Sequence, residues 1–141
     1  MSGTLKKQLR LESIHKMKAY LLDTHTLLWA TGETARLSKT VKNILQDASN
    51  RVMVSHASIW ELSIKQNIGK IDLPADYFQE LSSLGYEMLH IKEEHLAAYR
   101  PLPLIHRDPF DRMLVSQAQV DDLTLLSQDP EIRKYKVKTL W

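Results

Sequence analysis

From Ala19 onward, short apolar runs alternate with longer stretches of mixed polarity. Ala19 to Leu22 is the first run, and it stops abruptly at the carboxylate of Asp23. A run this short, apolar on both faces, predicts a central strand of a parallel sheet. Thr24 to Ala30, carrying Leu27, Leu28 and Trp29, predicts a short helix. Ser38 can cap the next helix, where Val41, Ile44, Leu45 and Ala48 recur at helical spacing. Arg51 to Ser55 is a second strand, built on Val52, Met53 and Val54. The helix that follows carries Ile59, Trp60, Ile64 and Ile68 and stops at Gly69.

Pro74 suits the first turn of a further helix that ends near Gly85. Tyr86 to Ile91 predicts a third strand, and Lys92 to Tyr99 a short helix stopped by Pro101 and Pro103. Asp108 and Pro109 open a strong helix with Met113, Leu114, Val115, Ala118 and Val120 on its apolar face. Leu123 to Leu126 is a fourth strand, a helical turn reaches about Tyr135, and Val137 to Leu140 is a last strand. Alternating strands and helices predict an α/β fold: one domain with a central parallel sheet of about five strands, flanked by helices.

Composition narrows the function classes. Apolar residues make up 43% of 141, enough for one packed core and against disorder as the default. The absence of cysteine removes disulfides, thiolate metal sites and cysteine nucleophiles, and fits a reducing, cytoplasmic setting. No apolar run approaches the ~20 residues of a membrane helix, so no membrane partner is expected. The net charge of +2 is unevenly spread. Residues 1–16 hold Lys6, Lys7, Arg10 and Lys16 against Glu12, leaving fifteen basic and sixteen acidic side chains beyond them. Charge balance therefore makes no case for nucleic acid. Residues 1–16 read as a leader or N-terminal extension outside the fold, and 17–141 as the domain.

The candidate chemistry is carboxylate chemistry. Asp23 ends the first strand, Glu61 lies in the helix after the second, Asp111 in the first turn of the helix before the fourth, and Asp129 after the fourth. In open α/β sheets the carboxyl ends of the strands form the ligand edge. Acids converging there repel unless a cation neutralises them. An all-oxygen set suits Mg2+, with Mn2+ as the alternative. Two such ions about 3.5–4 Å apart can activate water and stabilise a leaving oxygen.

Each acid also has a structural reading. Asp108 caps the helix behind Pro109, and Asp111 then favours the helix dipole. Asp129-Pro130 has the same capping look. Glu61 stands four residues before Lys65, a favourable surface pair. Asp23 resists such a reading, because a carboxylate ending a buried strand needs a partner. Thr24 and Ser55 are candidates to hydrogen-bond a carboxylate or water, or simply to cap. The six histidines lack the spacing of a helical zinc pair and read as surface or supporting groups. No glycine-framed serine or glycine-rich phosphate loop is present. Trp29, Trp60 and Trp141 read as core.

Taken together, Leu22-Asp23-Thr24-His25, Ser58-Ile59-Trp60-Glu61-Leu62, His106-Arg107-Asp108-Pro109-Phe110-Asp111-Arg112 and Gln128-Asp129-Pro130 stand in the order of a PIN-domain ribonuclease. The sequence resembles the VapC-type toxins of toxin–antitoxin pairs from about Met17 to Trp141. The resemblance implies a Mg2+- or Mn2+-dependent endoribonuclease, a homodimer, and inhibition by a cognate antitoxin protein. It makes Asp23 and Asp111 the principal metal ligands, Glu61 a further acid that binds metal or orients water, and Asp129 the fourth. Asp108 belongs to the motif. Arg107, Arg112, Lys65 and Lys70 are candidates to hold RNA phosphates, and equally readable as solvated charges.

Two other readings remain open at this point. A phosphoacceptor receiver domain shares the sheet and the acids, but needs an aspartate at the end of its third strand, where this chain has Lys92. A non-catalytic interaction protein of the same fold would use the acids as caps and partner contacts.

Overall fold

The computed structural model describes residues 18–141. The expected leader, 1–16, and Met17 lie outside the described residues. Five strands form one all-parallel sheet: β1 (Ala19–Leu22), β2 (Arg51–Ser55), β3 (Glu87–Leu89), β4 (Thr124–Leu126) and β5 (Thr139–Leu140). Their order across the sheet is β3-β2-β1-β4-β5. The chain works outward from β1 on one side, then returns to β1's other side to add β4 and β5. The switch point thus lies between β1 and β4, where open sheets leave a crevice at the strands' carboxyl ends.

The helices are α1 (Thr24–Gly32), α2 (Lys39–Gln46), α3 (His56–Asn67), α4 (Tyr77–Ser83), α5 (Glu93–Tyr99) and α6 (Pro109–Asp121), with 3-10 turns at Thr34–Arg36 and Ile132–Lys134. Strand alternation divides the core in two. Tyr20, Leu22, Val52, Val54 and Leu126 pack on one face with Leu27, Val41 and Leu81. Leu21, Leu89 and Leu125 pack on the other with Met113, Leu114, Val115 and Ala118 of α6. Leu21 and Leu22 are both fully buried, so β1 is covered on both sides, as its unbroken apolar run requires.

Local signals set the boundaries. Ser38 Oγ accepts the Val41 amide at 3.1 Å and starts α2. Gly69 adopts φ 75° after α3, in the left-handed region that favours glycine, while Lys70 N reaches back to Lys65 O at 2.8 Å. Several expected bounds shift. β3 is three residues long rather than Tyr86 to Ile91; it is an edge strand with one neighbour, so pairing ends where β2 ends. β5 is likewise short. Leu123 is buried but precedes β4, and Pro74 supplies a turn carbonyl to Tyr77 rather than a helical first turn. Trp29 and Trp141 pack against the core, but Trp60, expected there, is 60% exposed. It lies edge-on to Phe110 with ring centroids 5.2 Å apart.

Candidate active site

The switch point places Asp23 directly after β1 and Ser127 and Asp129 after β4. The Asp23 amide donates to Leu126 O at 3.3 Å, and Thr26 Oγ1 donates to the same carbonyl at 2.9 Å, so the two strand ends are stapled. Asp23 caps α1: its Oδ1 accepts the Thr26 amide at 2.7 Å. The side chain is 4% exposed. Burial raises its pKa above the ordinary carboxylate value, against the lowering pull of hydrogen bonding from Ser127 and Thr26. Thr24 donates from Oγ1 to Ser58 Oγ at 3.0 Å, a buried tie between α1 and α3 one turn before Glu61.

Glu61 is buried on α3. Its Oε2 meets Lys65 Nζ at 3.1 Å, the expected four-residue pair. Its Oε1 is buried without a hydrogen-bond partner. Such an oxygen is costly unless something else completes it.

Asp108 begins α6, with Oδ1 accepting the Asp111 amide at 2.9 Å, so a capping role is present for it. Asp111 stands one turn in, only 16% exposed. Its carboxyl is pushed up to about 6, chiefly by burial; the negative charges of Asp108, Asp23 and Glu61 add to the rise, and a bond from His106 opposes it. Three acids from separate segments thus act on one carboxylate. His106 Nε2 lies 2.9 Å from Asp111 Oδ2 and 3.8 Å from Asp129 Oδ2. Asp129 Oδ1 accepts the Glu131 amide at 2.9 Å, leaving Oδ2 toward the histidine. Beside this cluster an open groove of about 360 Å³ is lined by Asp23, His25, Trp29, Gln128, Asp129 and Pro130.

The basic candidates divide. Arg107 and Lys70 are exposed, whereas Lys65 is committed to Glu61. Arg112 corrects its assignment as a phosphate contact. It is 8% exposed, and its guanidinium donates to Pro103 O at 2.9 Å, Tyr135 Oη at 3.0 Å, His106 O at 3.2 Å, and Leu102 O and Tyr99 Oη at 3.4 Å. It holds the loop before α6 rather than an outside anion. Sequence reasoning also missed His106. The available signal was its place five residues before Asp111, across a helix cap, but only the loop's path brings the ring back onto the acid.

The model of the PIN domain family matches residues 20–138. The chain is a PIN domain. Solved structures with the same fold include VapBC2 from Rickettsia felis bound to a DNA fragment from its promoter, with TM-score 0.64 and 16% identity over 86% of this chain and 97% of that one. DNA-bound VapBC from Salmonella typhimurium aligns with TM-score 0.64 and 14% identity over 88% of this chain and 97% of that one. A domain of unknown function from Methanocaldococcus jannaschii aligns at TM-score 0.53 and 17% identity, over 88% and 90%. No curated protein sequence matches. Among the described residues, no helix is long and apolar enough to cross a membrane.

The site fits a divalent cation. Its donors are carboxylates, two of which, Asp23 and Asp111, have raised proton affinity, and Glu61 Oε1 is a buried oxygen lacking a partner.

Proposed function

We propose that this PIN domain is a metal-dependent endoribonuclease and the toxin of a toxin–antitoxin pair. The observation that carries the reading is that Asp23 and Glu61 are buried, Asp111 is mostly so, the charges of the first two act on the third, and one buried Glu61 oxygen is unpartnered. Asp23, Asp111, Glu61 and Asp129 would hold Mg2+ or Mn2+. When bound, the cation supplies Lewis acidity for attack of water on a phosphodiester and offsets the charge of the departing oxygen.

The protein's own contribution is placement. Asp23 is fixed by its cap on α1, Asp111 by the Asp108 cap of α6, and the Thr24–Ser58 bond locks α3 against α1. Fixed carboxylates need no reorganisation when charge develops. Trp29 and His25 line the adjoining groove and give it aromatic surface beside the acids. Exposed Arg107 and Lys70 supply positive charge for phosphates. A protein antitoxin and a second copy of the chain are the proposed partners. The VapBC complexes that share the fold support the former, and a cytoplasmic location suits both.

The test is cleavage of a mixed RNA pool with Mn2+, with and without EDTA, by wild type and by Asp111→Asn. Cleavage that requires metal and falls about 10²–10³-fold in the variant is expected. Equal cleavage by the variant would sink the reading. No cleavage by wild type under any metal would favour the non-catalytic alternative.

A further inference from the structure

We propose that His106 is a nitrogen ligand of the metal position, making the site a mixed nitrogen–oxygen one that selects Mn2+ over Mg2+. The inference rests on the metal-site reading above and adds a donor that the four acids do not contain.

The geometry carries it. One donor atom each from His106, Asp111 and Asp129 lies within 4.8 Å of the other two. Donors about 2.1 Å from one octahedral ion stand about 3 Å apart when adjacent and about 4.2 Å apart when opposite. The observed separations of His106 Nε2, 2.9 Å to Asp111 Oδ2 and 3.8 Å to Asp129 Oδ2, fall within that span. An independent sign of a bound cation is the unpartnered, buried Glu61 Oε1, on a carboxylate whose charge acts on Asp111.

The backbone of His106 is held from behind the ring. The His106 amide donates to Tyr135 Oη at 2.9 Å, and its carbonyl accepts from Arg112 Nη1 at 3.2 Å. Arg112 and Tyr135 are both buried and bonded to each other at 3.0 Å. A buried cation whose donors are spent on the loop's carbonyls is an expensive device for a surface turn. It is well suited to fixing one ring against two carboxylates. Imidazole is a softer donor than carboxylate and binds first-row transition ions better than magnesium, so its presence biases the choice of ion.

The alternative is that His106 only donates a hydrogen bond to Asp111 and never touches the ion. Electron spin-echo modulation of the Mn2+-loaded protein separates the two, because only a coordinated imidazole gives strong nitrogen coupling. The coupling is expected in wild type, retained in His25→Gln and lost in His106→Gln. Titration should show His106→Gln binding Mn2+ about 10–100-fold more weakly, with a much smaller change for Mg2+. Mn2+ binding that depends on Asp111 but lacks nitrogen coupling would overturn the His106 ligand and leave the metal site standing. Coupling that survives His106→Gln but vanishes in His25→Gln would also overturn it. Absence of Mn2+ binding in wild type would overturn both the ligand and the metal reading.

Discussion

The domain contains two histidine–aspartate contacts of the same length, His95–Asp121 and His106–Asp111, each 2.9 Å. Their surroundings differ in every other respect. His95 is fully buried. Its Nδ1 accepts the Lys92 amide at 2.9 Å, which assigns the proton to Nε2 and the bond to Asp121. Gln117 lies alongside, tied to His90 O and to Ser55. Every polar atom of that pair has somewhere to go, so it cements α5 to α6. His106 meets an aspartate that feels three further carboxylates, one of them Glu61 with its unpartnered oxygen. The contact distance does not distinguish a structural pair from a reactive one; the charge left unpaired around it does.

Substituting the two histidines is the strongest way to break the comparison. His95→Ala removes a fully buried ring and the partner of both the Lys92 amide and Asp121, so a loss of about 3–5 kcal/mol is expected. His106 is 22% exposed, and its backbone bonds to Arg112 and Tyr135 survive truncation. His106→Ala should therefore cost about 1 kcal/mol or less. Urea unfolding in EDTA measures both. Equal losses would mean that the second pair is structural too.

Metal should act on one pair only. A ligand at a hundred times its Kd stabilises the folded state by about 2.7 kcal/mol. Saturating Mn2+ should raise the Tm of wild type and of Lys138→Ala alike, and leave Asp23→Asn unchanged. Lys138 precedes β5, at the amino end of that strand, in an exposed pair with Asp122. Stripping with EDTA should reverse the gain.

These contrasts also mark what could be read from the sequence. The sheet was legible because β1, β2 and β4 are short apolar runs and the stretches between them have helical spacing. β3 and β5 were read too long, since apolar pattern reports burial, whereas pairing needs a neighbour and these strands have only one. Asp23 stood out because a carboxylate closing a buried run needs a partner, and the structure shows that it also caps α1, a role the sequence reading did not give it. Arg112 looked like an anion contact because its acceptors are carbonyls of Leu102, Pro103 and His106, whose positions depend on the loop's path. His106 stayed hidden for the same reason.

Asp111 sharpens the comparison through pH. Its folded carboxyl holds a proton up to about 6, against 3.8 as the reference value. Between those values the folded chain binds the extra proton, so stability falls as pH rises through this window and the full penalty applies at pH 7. At 1.36 kcal/mol per unit the penalty is at most about 3 kcal/mol. Losing a negative charge from the first turn of α6 returns about 0.3–1 kcal/mol. In EDTA, Asp111→Asn should therefore be more stable than wild type at pH 7 by roughly 2 kcal/mol. The gain should vanish below pH 4. A variant less stable than wild type at pH 7 would show that Asp111 is already neutralised by His106.

Lys65 gives the smallest effect and the finest distinction. It pairs with Glu61 at 3.1 Å and is 32% exposed, so it belongs half to solvent. Such a pair contributes at most about 1 kcal/mol. If Glu61 belongs to the metal site, Lys65 competes with the cation for that carboxylate. Lys65→Ala should then cost about 1 kcal/mol or less in EDTA and, with one positive charge gone, tighten Mn2+ binding a few-fold. The opposing signs are the point: a purely structural Glu61–Lys65 pair would show the loss of stability with no gain in affinity. Isothermal titration beside urea unfolding of the same preparation reads both, and unchanged Mn2+ affinity would place Glu61 outside the cation's reach.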